Sequence, residues 1–236
     1  MRKFIILGPQ GSGKGTQAKR LKEAFDLVHI AVGDILRWNV QSHTKLGARI
    51  RRFVDAGQLV PDDVIGEIVQ ERLDQHDWNY GFVLDGFPRS EKQALFFLET
   101  FDIDAVIAIE LPDEKAIERM LARRLCSGCG LDYNLIHHRP AEPDRCDVCG
   151  GTLATRSDDT PEAIRARLGA YHAQTQPILS LFRRKELIVT VDGTRSPDAV
   201  HREICERVGL RRPADSPFAP PPPAPQHTRR DVPRAR

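Results

Sequence analysis

The sequence predicts an α/β fold, a five-stranded parallel sheet layered between helices, on three observations. Short apolar runs bounded by turn residues recur five times, at 3–7, 27–32, 82–85, 105–110 and 187–191. Stretches with helical spacing of apolar residues separate them, and strands alternating with helices favour a parallel sheet covered on both faces. The first run, Phe4-Ile5-Ile6-Leu7, passes directly into the glycine-rich segment Gly8-Pro9-Gln10-Gly11-Ser12-Gly13-Lys14-Gly15-Thr16.

Taken in order, 3–7 is the first strand and 14–25 the helix that the glycine-rich segment opens. Glycines without Cβ let successive backbone N–H groups turn inward and hold phosphate oxygens. The helix adds its positive N-terminal end, and Lys14 a mobile charge for the outer phosphates. Gly11, Ser12, Gly13, Lys14, Gly15 and Thr16 are therefore candidates for binding a nucleoside triphosphate. The hydroxyl arrives at Thr16, one residue later than in the generic phosphate loop, and the Asn-Lys-x-Asp base motif of GTPases is absent.

After the second run, 33–57 reads as helices inserted between strands, and further helices are predicted at 62–73, 90–100, 113–125, 160–181 and 196–208. Asp85 closes the third run, and the carboxyl end of a parallel strand is where such sheets bind ligands. It suits the orienting of Mg²⁺ through water, with Asp34 a second candidate. Arg89, just beyond, is placed to grip a phosphate bidentately. Arg119 and Arg123 fall four apart and so share one face of the 113–125 helix. Asp158 and Asp159 read as caps of a helix opened by Pro161, with Glu162 completing a capping box and Arg167 riding on that helix.

The stretch 126–157 breaks the rhythm and reads as an inserted miniature domain, rich in Gly, Pro, Asp and Cys. Cys126-x-x-Cys129 and Cys146-x-x-Cys149 are separated by sixteen residues, and each knuckle directs two thiolates at one tetrahedral ion. Four thiolates leave no open position for water, so a structural Zn²⁺ is expected. Leu131, Tyr133, Leu135, Ile136 and Leu153 supply the little core this unit has, and His137 and His138 fall to the surface. Cys205 sits with Val200, Ile204 and Val208 on an apolar stripe and reads as core.

The bulk properties exclude some classes. No apolar run approaches the ~18 residues of a membrane span, and since Met1-Arg2-Lys3 leads straight into the first strand, no signal peptide is expected. Paired cysteines without a disulfide framework suit a reducing cytoplasm. The net charge of +2 is uneven: 211–236 carries six arginines against two aspartates, which leaves 1–210 at −2. Residues 126–151 also sum to −2, with Tyr133 the sole aromatic besides histidine. That speaks against nucleic acid as a partner and against a zinc-ribbon nucleic-acid-binding ATPase. The tail, with eight of the seventeen prolines including Pro220 to Pro223, is expected to be disordered or polyproline II. An aromatic groove or an acidic surface on an unknown partner would fit it. No helix shows a spare heptad seam, so a monomer is expected.

On these motifs the chain resembles the adenylate kinases of the long, zinc-bearing bacterial type over about residues 1–210. The resemblance rests on the phosphate loop, Val32-Gly33-Asp34-Ile35-Leu36-Arg37, Leu59-Val60-Pro61, Asp85-Gly86-Phe87-Pro88-Arg89 and Gln93. It rests equally on Arg119, Arg123 and Arg124, the two knuckles, and Arg156-Ser157-Asp158-Asp159. It implies a P-loop three-layer fold whose core spans 1–30, 61–121 and 160–210. A helical monophosphate-binding insert at 31–60 and a small zinc-bearing lid at 122–159 are implied as well, with the tail at 211–236. The implied activity is reversible transfer of the terminal phosphoryl group of Mg·ATP to AMP, giving two ADP.

By this resemblance Arg37 and Arg89 hold the AMP phosphate, while Gln93 and the backbone around Leu59 and Val60 read the adenine, beside Val32 and Gly86. Lys14, Arg123, Arg156 and Arg167 grip the transferring group, the last two also reaching AMP, and Asp85 serves the metal. Arg119 stacks on the ATP base, and Asp192-Gly193-Thr194-Arg195 passes its other side. One departure stands out: the family usually has Ser-Thr-Gly-Asp where this chain has Ala31-Val32-Gly33-Asp34. Losing that hydroxyl is worth about 0.5–1.5 kcal/mol, or two- to tenfold in AMP binding, and loosens base selectivity. A kinase of UMP, CMP or GMP is the alternative.

Overall fold

A computed structural model gives the fold, which is described for residues 2–75, 81–156 and 158–210. The five runs form one sheet from β1 (Lys3–Leu7), β2 (Val28–Ala31), β3 (Phe82–Asp85), β4 (Ala105–Glu110) and, after three short strands treated below, β8 (Ile188–Asp192). All pair in parallel, in the order β2-β3-β1-β4-β8. Side chains alternate across a strand, and here both faces are buried. Ile5, Leu7, Phe82, Leu84, Val106 and Ala108 enter one core. Phe4, Ile6, Val83, Ile107 and Ile109 enter the other. Strands buried on both faces read as unbroken apolar runs, which is why they were visible in the sequence.

The helices are α1 (Lys14–Phe25), α2 (Val32–Gln41), α3 (Lys45–Asp55), α4 (Asp62–Asp74), α5 (Glu91–Thr100), α6 (Asp113–Leu121), α7 (Pro161–Ala170), α8 (Ile178–Arg184) and α9 (Pro197–Arg207). Residues of α1 and α9 cover one face of the sheet, and residues of α4, α5 and α8 the other. The register sets Ile6 beside both Asp85 and Ile107, so β1 and β3 end within one residue of each other and β4 runs two residues past Leu7. The chain builds outward from β1 first to one side and then to the other. Ligands bind beyond the strand ends at such a switch point.

Four expectations are corrected. The helix predicted over 113–125 ends at Leu121, and Arg123–Cys126 is strand β5, antiparallel to β6 (Asp132–Asn134) and β7 (Leu153–Ala154). Arg123 therefore shares no helix face with Arg119. Its pairing partner Asn134 lies eleven residues on, so cross-strand hydrogen bonds override a locally helical spacing. The helix predicted over 160–181 is broken: a π-helical turn, Tyr171–Thr175, closes with Gln176 N–H donating to Tyr171 O at 2.8 Å. Pro177, which lacks an N–H, follows at the cap of α8.

Asp158 and Asp159 do not cap α7. Thr160 does, its Oγ1 accepting from Ala163 N–H at 3.2 Å with Pro161 next, so Glu162 is out of step for a capping box. In the cysteine unit Tyr133, Leu153, Cys126 and Cys146 are buried with Leu131 packed on them, whereas Ile136 is exposed. Among the described residues no helix is long and apolar enough to cross a membrane. The proline-rich tail and Ser157 lie outside the described residues.

Candidate active site

The loop from β1 to α1 turns at Gly13, whose φ of 94° puts it in the left-handed region that a side chain would strain. Lys14 Nζ donates to the carbonyls of Gly8 and Pro9 at 2.8 and 2.7 Å. Desolvation draws the Lys14 ammonium down to about 8, opposed by Asp85 and reinforced by Arg89, Arg123 and Arg167. Ser12 Oγ is buried there without a hydrogen-bond partner. Asp85 closes on the first turn of α1: a Cβ on Gly15 would stand 3.4 Å from Asp85 Oδ2. His29 Nε2 lies 3.5 Å from the same oxygen.

Arginines converge on this loop from several elements. Arg89, in the loop after β3, donates through Nε to Gly86 O at 2.7 Å, and its own carbonyl accepts from Thr175 Oγ1 at 3.0 Å. Burial pulls its guanidinium down to about 10, with Arg37 adding, Asp85 opposing and Arg167 adding. Arg123 of β5 makes a two-pronged pair with Asp159 at 2.8 and 2.6 Å. Arg167 of α7 reaches Asp158 at 3.2 Å and Asp159 at 2.9 Å. Burial alone would raise the Asp159 carboxyl; the Arg123 and Arg167 guanidiniums hold it below the usual carboxylate range. Arg37 pairs with Asp34 and stands 3.9 Å from Asp158. Arg156 pairs with Asp132 at 3.2 Å while its buried Nε has no partner.

Two adjoining cavities open between these groups. Lys14, Gly8, Tyr171 and Thr175 line the first. The second lies between Val32, Leu36, Val60, Ile65 and Phe87, with Arg37, Gln58 and Gln93 as its polar edges. Gln10, Gly57, Leu59, Gly86, Arg89 and Arg167 line both. Gly57 (φ 67°) lets the turn after α3 approach α7, since a Cβ there would meet Ala163 O at 2.7 Å. Arg123 and Arg156 line neither cavity; Asp159 and Asp132 hold them at the edge. Arg119 donates to Gly193 O at 2.8 Å, joining those two sequence-predicted positions, whereas Arg195 pairs with Glu203 of α9 at 2.7 Å. Arg124 folds back onto Leu121 O and Arg123 O.

Sequence reasoning gave no role to Gln10, although it stands in the phosphate loop, and missed Gln58, Tyr171 and Thr175, which no motif marked. It saw Asp158 and Asp159 but gave them the wrong task. Their burial, with Asp158 5% and Asp159 4% exposed, follows from the guanidiniums that neutralise them.

In the cysteine unit, the four knuckle thiols lie within 4.8 Å of one another. Cys126 and Cys149 Sγ are 3.4 Å apart, and Cys129 and Cys146 are 3.6 Å apart. A disulfide would need about 2.05 Å; a tetrahedron with metal–sulfur bonds of about 2.3 Å has edges near 3.8 Å. The four thiols therefore fit one tetrahedral thiophilic ion. The Tyr133 hydroxyl, donating to Cys146 Sγ at 3.5 Å, draws that thiol down to about 6, and the N–H groups of Cys129 and Gly128 support Cys126. Lys19 of α1 pairs with Asp132 of β6 at 3.3 Å and ties the unit to the loop's own helix.

A phosphate loop at the switch point of a parallel sheet, facing a cavity walled by arginines, defines a P-loop nucleotide phosphotransferase. The family model for adenylate kinase matches residues 6–187. The adenylate kinase of Caldicellulosiruptor bescii is 43% identical over 213 residues, covering 88% of this chain and 99% of its own. That of Clostridium beijerinckii is 41% identical over 212 residues (88% and 98%), and that of Archaeoglobus fulgidus 44% over 206 (85% and 95%). The chain belongs to the adenylate kinase family.

Proposed function

We infer that the chain reversibly transfers the terminal phosphoryl group of Mg·ATP to AMP, giving two ADP. One observation carries this: the cavity beside Lys14 and the cavity beside Val32 and Gln93 share Arg89 and Arg167 as a common wall. Two phosphates entering from opposite sides meet there in line. Phosphoryl transfer asks the protein for little more than that alignment, charge stabilisation and the exclusion of water. The acceptor is already an anion, so no general base is needed.

In this reading the N–H groups of Gly11 to Thr16 cradle the ATP phosphates, Ser12 Oγ finds its partner there, and Lys14 exchanges two loop carbonyls for phosphate oxygens. Asp85 orients the Mg²⁺ that arrives with ATP. Arg119 packs on the donor base beside the turn that bears Arg195. Arg37 and Arg89 hold the AMP phosphate, with Val32, Leu59, Val60, Gly86 and Gln93 around its base. Arg123, Arg156 and Arg167 pass from their aspartates to the moving phosphoryl group. Residues 31–60 and 122–159 act as covers on a core of 1–30, 61–121 and 160–210, closing to keep water out. Cys126, Cys129, Cys146 and Cys149 hold a structural Zn²⁺, and the enzyme works as a cytoplasmic monomer.

Assays with AMP, GMP, CMP and UMP against Mg·ATP, following diphosphate formation, test the reading. Efficient phosphorylation of AMP alone is expected. A second monophosphate matching AMP would overturn the acceptor assignment, and ATP consumption without any acceptor would overturn the kinase.

A further inference from the structure

We propose that Asp62 decides which purine the acceptor site takes, by fixing the orientation of the Gln93 carboxamide. This rests on the reading of Gln93 as the residue that faces the acceptor base. Gln93 is buried at the wall of the second cavity. Its Oε1 accepts from the backbone N–H of Arg89 at 2.7 Å, and its Nε2 donates to Asp62 Oδ1 at 2.6 Å. Asp62 cannot turn away, because its Oδ2 accepts from Ser90 Oγ at 2.9 Å, and that hydroxyl in turn caps α5 at Gln93 N.

The two ends of a carboxamide are nearly equal in size, so only their partners choose which way it points. Here both partners are single-valued: a backbone N–H can only donate, and an ionised carboxylate can only accept. Turning the amide over would set N–H against N–H and oxygen against carboxylate. Two hydrogen bonds are thus spent on orientation, and one N–H and one lone pair of the amide are left for a ligand, at fixed places. A 6-aminopurine presents a donor at its amino group beside an acceptor at N1, which an oriented amide matches. A 6-oxopurine presents the reverse, an acceptor at O6 beside a donor at N1. A free amide would turn to serve either base, whereas a locked one serves only one. Val32, Leu36, Val60, Ile65 and Phe87 carry no side-chain hydrogen-bonding group, and of the two amides at the polar edge, Gln58 and Gln93, it is Gln93 whose two ends are both held by fixed partners.

The test compares AMP with inosine monophosphate, which differs only in the 6-oxo group and the N1 hydrogen, at saturating Mg·ATP. Asp62→Asn keeps the shape of the side chain but can donate as well as accept. It is expected to narrow the preference in kcat/KM for AMP over inosine monophosphate by about tenfold, mainly through KM for the inosine nucleotide, with KM for ATP unchanged. Gln93→Ala separates the two layers of the argument. If it leaves KM for AMP at the wild-type value, the base-facing reading of Gln93 falls. If it raises that KM while Asp62→Asn keeps the wild-type preference, or shifts KM for ATP and AMP together, the orientation proposal alone is overturned. Should Asp62→Asn not fold, calorimetric binding of the same two monophosphates to Asp62→Ser decides by the same ratio.

Discussion

Lys14 spends its ammonium on two carbonyls of its own loop, with no carboxylate bonded to it among the described residues, and burial draws it down to about 8. Phosphate oxygens favour the charged form, so ATP binding between about pH 8 and 9 should take up a proton. Calorimetry in two buffers of different ionisation enthalpy would read that uptake, and Lys14→Gln should abolish it. The sign for stability is opposite to that for a lysine in a salt bridge. Between 8 and 10.5 the unfolded chain keeps a proton that the folded one has released, so this residue's contribution rises with pH across that window. Asp159 carries a different burden, since Asp159→Ala strips the shared counter-charge from Arg123 and Arg167. Denaturant titration should show a loss of about 3 kcal/mol.

At the scale of elements, the cysteine unit and the π-helical turn each carry a test. Chelation under reducing conditions should free four thiols to a thiol reagent and lower both the melting temperature and kcat, because the unit has only Tyr133, Leu153 and two of its own cysteines as buried core. Cys129→Ser should do the same without chelator. Within the π-helical turn, His172 Nδ1 faces Gln176 Oε1 at 2.7 Å and Nε2 faces the Asp113 carboxylate at 2.9 Å. Those acceptors, Gln176 first and then Asp113, raise its pKa above 6.5. The link is therefore fully present below about pH 6.5 and lost as pH rises through the higher folded value. It is partly exposed, so it is worth less than about 1 kcal/mol. His172→Ala should shift the stability difference between pH 6 and pH 8 by that small amount, read from denaturant titrations at the two pH values.

The elements also show what a sequence makes visible. The central strands β1, β3 and β4 were legible because burial on both faces leaves continuous apolar runs. The half-buried edge strands β2 and β8 were legible because turn residues bound them, and the phosphate loop because Gly, Lys and Thr are fixed by local chemistry. Strand β5 was not: its identity depends on Tyr133 and Leu153, which are not its neighbours in the chain. The knuckles were legible as ligands, but the Tyr133 hydroxyl that supports Cys146 was not, since a tyrosine thirteen residues away carries no spacing signal. The acceptor side was half legible. Leu36, Arg37, Arg89 and Gln93 stood in motifs, whereas Gln58 and Ile65 reach the cavity only through the turn after α3 and the packing of α4.

For the whole molecule, the cysteine unit is tied to α1 through Lys19 and Asp132, while the Arg156–Asp132 and Arg123–Asp159 pairs brace the unit internally. Asp132→Ala should loosen that closure and raise KM for ATP about two- to fivefold, the scale of exposed ion pairs, with little change in KM for AMP. Steady-state kinetics with each nucleotide varied in turn would show it. The paired aspartates have one more consequence. Asp158 and Asp159 occupy the same guanidiniums that a phosphate would claim, so they behave as a tethered competitor at full local concentration. On the proposed function, every nucleotide displaces them on entry, and they stand ready to displace it in turn. A site built this way should give up some affinity for its products and turn over faster for it.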